Sequence, residues 1–213
     1  PGSVEKDFWV CLMLRESFTL PELGEHLTFK GGTSLSKAWG LIDRFSEDID
    51  LTIGRDTLGF GGDDGPEAAG SGNEQRRRIE RLKHACRDAV AQRIAPALTA
   101  RMRALLAPHE SWSITSDDED PDAQTLLFGY PRLGATTTPS YLKPVVKLEF
   151  GARSDPWPAE ARQVTPIVAE EFPRLFDSPA CTVRALLPER TFWEKVMLLH
   201  EERSRPAGRA RRP

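Results

Sequence analysis

Residues 46–53 read SEDIDLTI, and this alternation of polar and apolar side chains is the period of a half-buried β-strand. Only one register suits it. With Ile49, Leu51 and Ile53 turned into a core, Asp48, Asp50 and Thr52 share the opposite face, whereas a slip of one residue would bury both aspartates. Two carboxylates held side by side repel each other unless a cation lies between them, so the pair predicts a divalent ion, most naturally magnesium.

Just upstream, residues 29–39 read FKGGTSLSKAW. Gly31 and Gly32 free the backbone from Cβ restrictions, and Thr33, Ser34 and Ser36 follow with hydroxyls and exposed amides. Residues 34–39 suit a helix, which would put the turn at a helix N-terminus, where unpaired N–H groups favour an anion such as phosphate.

At 213 residues the chain can bury a real core, as one α+β unit or as a catalytic half with a smaller helical half. With 39% apolar and 29% charged residues, neither disorder nor a membrane protein is indicated, and no apolar run reaches bilayer length. The apolar residues 11–14 are too few for a secretory leader. Cys11, Cys86 and Cys181 are far apart, odd in number and without metal-ligand spacing, which predicts reduced thiols and a cytoplasmic location. The net charge of −3 repels phosphate on average, so a grip on nucleic acid needs local basic patches.

Residues 4–15 read as a helix in which Phe8 and Trp9 pack the core, with Lys6 and Asp7 beside them. Residues 54–73, rich in glycine and acid, predict a flexible loop in which Asp63 and Asp64 are solvated. Residues 74–106 predict one or two helices, with Pro96 marking a kink or break. Arg76, Arg77, Arg78, Arg81, Lys83, Arg87 and Arg93 line the outer side of that arm, as a solvated face or as an RNA-backbone contact. Residues 112–114, 124–130 and 142–150 read as strands, 153–179 as irregular, and 183–187 as a last strand. A helix starts near Pro188, with Phe192, Val196 and Leu199 as its core stripe. On the strand ending at Phe150, Lys147 and Glu149 share a face, as a surface ion pair or as site residues.

A GG-[ST] turn, a short helix and a hydrophobic-Asp-x-Asp-hydrophobic strand resemble the polymerase-β-type nucleotidyltransferases. The fuller wording GGTSLSK and RFSEDIDL is similar to the AbiEii/AbiGii nucleotidyltransferase toxins, relatives of the MenT toxins, with weaker echoes at residues 4–14 and 190–200. The resemblance implies an α+β fold, a polymerase-β-like core of mixed sheet flanked by helices with an additional helical region. The core would comprise residues 1–53 and 108–187, joined by the loop 54–73 and a helical insertion 74–107, and followed by a C-terminal helix and basic tail, 188–213.

The resemblance also supplies roles. Glu149 becomes the third carboxylate, so that Asp48, Asp50 and Glu149 hold Mg²⁺ or Mn²⁺, and Lys195 of the FWEK helix approaches the phosphates of an NTP. Gly31, Gly32, Thr33, Ser34, Lys37, Arg44, Ser46 and Lys147 form the nucleotide-binding set, although Arg44 has the alternative of pairing with Asp43 or Glu47. The implied reaction is metal-dependent transfer of an NMP from NTP to RNA, at a tRNA 3′ end, blocking translation under the control of a cognate antitoxin. Two alternatives stand beside it: the same chemistry on a protein or small molecule, and an NTP-binding protein without catalysis. The tail, EERSRPAGRARRP, departs from the family's longer helical continuation.

Overall fold

The computed structural model describes residues 2–43, 48–132 and 143–204. Among these, β1 (Leu27–Lys30), β2 (Asp48–Ile53), β3 (Ser113–Ser116), β4 (Thr125–Gly129), β5 (Val145–Gly151), β6 (Ala159–Val164) and β7 (Cys181–Leu186) form one mixed sheet in the order β3-β4-β5-β2-β1-β7-β6. Helices α1 (Gly2–Phe18), α2 (Gly31–Lys37), α3 (Gly72–Ala89), α4 (Ala95–Leu105), α5 (Ile167–Glu171) and α6 (Pro188–Arg203) flank it. The α+β expectation holds.

The alternating strands bury one face completely. Ile49, Leu51 and Ile53 on β2 and Val146 and Leu148 on β5 are fully buried in one cluster with Trp9, Met13 and Leu14 of α1 and Leu82 of α3. Trp9 stacks on Tyr130 and meets Phe128 edge-on, so α1 is clamped to the sheet by aromatic contacts. Leu148→Ala removes a side chain from the middle of this layer and is expected to cost about 2–5 kcal/mol. Urea unfolding should show this as a lower midpoint with an unchanged slope.

The helical arm also follows from its sequence. Leu82, Cys86, Val90, Ile94, Leu98 and Met102 recur every fourth residue and are all buried. An α-helix overshoots by about 40° at each such step, so the stripe would wind off the core. A π-helical turn at Val90–Ile94, just before Pro96, takes up part of that drift.

Three regions differ from expectation. Residues 54–73 carry three short 3-10 turns instead of an unstructured loop, because arginine hydrogen bonds organise them together with Leu58 and Phe60, which pack against the core. Arg55 donates to the carbonyls of Ala152 and Arg153 and pairs with Glu67, and Arg78 donates to the carbonyls of Asp63 and Gly65. Residues 159–164, within the stretch expected to be irregular, form strand β6 against β7. The supposed core stripe of α6 is open: Phe192 is 59% and Leu199 71% exposed. Thr191 is the one fully buried residue of α6, so the helix touches the body along a narrow line.

Candidate active site

The sheet register brings the charged residues into rows. Lys30 at the end of β1 lies opposite Asp50 on antiparallel β2, and Asp50 lies opposite Glu149 on parallel β5. In the neighbouring row Asp48 lies opposite Lys147. Asp48 and Asp50 are two residues apart on one strand and share a face, so three carboxylates and two lysines meet where β1 ends and β2 begins.

The glycine turn fits against this group. Helix α2 starts directly at Gly31, whose φ of +78° is open to glycine and strained for other residues, and a Cβ there would lie 1.8 Å from Asp50 Oδ2. The hydroxyls expected at a phosphate are engaged within the protein. Thr33 Oγ1 donates to the Asp48 carbonyl and Ser34 Oγ donates to the Gly31 carbonyl at 2.9 Å. They fix the turn against the start of β2.

The electrostatics are those of an anionic cluster with partial compensation. Burial, then the neighbouring Glu149 charge, push the Asp50 carboxyl up to about 6, while Lys30 and Lys195 act in the opposite direction. Lys147 Nζ lies 3.0 Å from Glu149 Oε1 and 3.4 Å from Asp117 Oδ2, so the expected ion pair exists and also recruits Asp117. Lys37 points elsewhere: its Nζ lies 2.7 Å from the buried Asp7, whose other oxygen accepts from the Ile167 amide at 2.7 Å. That pair ties α1, α2 and α5 together.

A family model described as nucleotidyl transferase AbiEii toxin, type IV TA system, matches residues 12–211. The chain belongs to this family. No curated protein matches it. Among solved structures, MenT4, a nucleotidyltransferase toxin of Mycobacterium tuberculosis H37Rv, matches with 19% identity and a TM-score of 0.46, over 91% of this chain and 50% of that one. The chain therefore spans about half the length of that protein.

In this AbiEii-family chain, the structure gathers Asp48, Asp50, Glu149 and Lys147 with the Gly31 turn, and Lys195, exposed on α6, acts on Asp50. Arg44 and Ser46 lie outside the described residues. Lys30 was assigned no role from the sequence. Its signal was available in the alternation of residues 27–30, which sets Lys30 on the face of Thr28 and so beside Asp50 once β1 and β2 pair. None of the three buried cysteines forms a disulfide, and burial pushes the Cys86 thiol up to about 12 and the Cys181 thiol to about 11, which suits neither nucleophile nor metal ligand.

The candidate donors are all carboxylate oxygens, the kind a hard cation takes, and the Asp50 carboxyl is raised first by burial and then by the Glu149 charge beside it. Among the described residues no three such side chains already close around one point, and Glu149 is turned to Lys147. The set fits a divalent ion once Glu149 exchanges Lys147 for it.

Proposed function

We propose that the chain transfers a nucleotidyl group from an NTP to RNA, at the 3′ end of a tRNA, and so acts in the cytoplasm as a translation-blocking toxin restrained by a cognate antitoxin. One observation carries the reading: Asp50 and Glu149 face each other across parallel strands, with Asp48 two residues away and the Gly31 turn against them. Asp48, Asp50 and Glu149 would hold Mg²⁺ or Mn²⁺, which when bound lowers the pKa of an attacking hydroxyl and offsets charge on the leaving pyrophosphate.

The chain's own residues supply position and field, which is most of what phosphoryl chemistry needs. Backbone amides at Gly31 and Gly32 orient the triphosphate, Lys30 and Lys195 balance its charge, and Lys147 with Asp117 holds Glu149 until it is recruited. Membership of the AbiEii family supports the chemistry and the antitoxin. Support for an RNA acceptor comes from the family resemblance and from Arg76, Arg77 and Arg81, which remain exposed on α3.

The test incubates the protein with total tRNA, Mg²⁺ and each α-phosphate-labelled NTP in turn. Label should enter RNA, and Asp48→Ala should lower it by at least about a hundredfold. Label on a protein band would move the acceptor and keep the chemistry. No label anywhere would overturn the reading.

A further inference from the structure

A cavity of about 400 Å³ lies between the end of β1 and α6, and Lys30, the cross-strand partner of Asp50, lines it. Its lining includes Lys30, Arg190, Trp193, Glu194, Met197 and Leu198. We infer that this cavity seats the nucleobase of the NTP, with Trp193 as its stacking platform. The inference rests on the nucleotidyl-transfer reading and adds the part of the substrate that the carboxylates do not touch.

Two observations favour a base over a phosphate or an apolar chain. First, the lining carries no net charge: Lys30 Nζ lies 3.6 Å from Glu194 Oε2 and Arg190 Nε 3.5 Å from Glu194 Oε1, and Glu201 supplies the second carboxylate against these two cations. Second, one wall is a flat aromatic with aliphatic neighbours, and it is left uncovered: Trp193 is 60%, Met197 57% and Leu198 50% exposed. A ring stacked there would cover it.

The volume falls in the range of small-ligand sites and suits a nucleoside. The location also works. Lys30 is the direct cross-strand partner of Asp50, so a nucleoside in the cavity runs its phosphates past Lys30 towards the carboxylates and the Gly31 turn. Lys30 is held on this line by Ser154, which accepts from Nζ at 3.0 Å.

The test compares calorimetric titrations of the full chain, in Mg²⁺, with each NTP and with inorganic tripolyphosphate as a probe lacking base and ribose. The preferred NTP should bind more tightly than tripolyphosphate. Trp193→Ala should weaken that NTP at least about fivefold and leave tripolyphosphate unchanged, while Trp193→Phe retains most of the affinity. Because Trp193 is largely exposed, its removal takes nothing from the core; Met197→Glu, which puts a charge on the same wall, should repeat the selective loss. Equal weakening of both probes, or of neither, overturns the base site. Tripolyphosphate binding as tightly as every NTP also overturns it and leaves the phosphate and carboxylate reading intact. Failure of the wild-type chain to bind either probe removes the nucleotide reading and this inference with it.

Discussion

Gly31→Ala should lower nucleotidyl transfer by at least about a hundredfold while leaving a folded protein, because the change strikes Asp50 directly. The new methyl carbon would sit 1.8 Å from Asp50 Oδ2 and 2.7 Å from its Cγ, far inside contact distance. Asp50 has little room to yield. Glu149 faces it on one side and Lys30 on the other, so relief comes by turning the carboxylate out of line or by lifting the start of α2. The residue's φ of +78° adds about 1–2 kcal/mol of strain for an alanine. Labelling assays and thermal melts on the same preparation separate the two effects. A variant that retains wild-type transfer would show that Asp50 is not positioned by this turn.

Asp50→Asn should do the opposite to stability while also abolishing transfer. In the protein without divalent ions, burial and the Glu149 charge hold the Asp50 carboxyl near 6 against an ordinary 3.8, so the folded state binds this proton more tightly than the unfolded chain. The sign follows: the contribution is fully present below about pH 4 and is lost as pH rises through 6, so ionised Asp50 costs folding about 3 kcal/mol at pH 7. Asparagine carries no such cost. Melting curves in chelator should therefore show the variant more stable than wild type at pH 7 and level with it near pH 4. Added Mg²⁺ should raise the wild-type midpoint and not the variant's, since only the wild type gains from binding in the folded state. Parallel melts across the whole pH range would refute the electrostatic account.

How much of this was legible depends on the range of each signal. Period-two alternation is local, so β2 and β5 and the faces of Asp48, Asp50 and Glu149 could be read from their own segments. Register between distant strands is not local: nothing in residues 145–151 says that Glu149 falls opposite Asp50, and the family resemblance supplied the neighbourhood. Lys37 illustrates a related limit. A lysine after a glycine turn reads as a phosphate ligand, but its buried partner Asp7 comes from another helix. The α6 stripe was misread because apolar spacing reports a helix face and not what covers it. Residues 54–73 were misread because their order comes from hydrogen bonds of Arg55 and Arg78 and from just two apolar anchors, Leu58 and Phe60, which composition does not register.

The parallel pairing of β2 with β5 also sets a timetable. Synthesis delivers Asp48 and Asp50 early, but the strand that faces them follows the whole α3–α4 arm, and Lys195 follows later still. A chain still growing on the ribosome thus carries two aspartates with Lys30 of β1 across from Asp50 on one side and no carboxylate or lysine of β5 on the other, and contacts so distant in sequence form slowly. The row of Asp50 with Glu149 is therefore complete only after β5 has emerged, and Lys195 joins it only with α6.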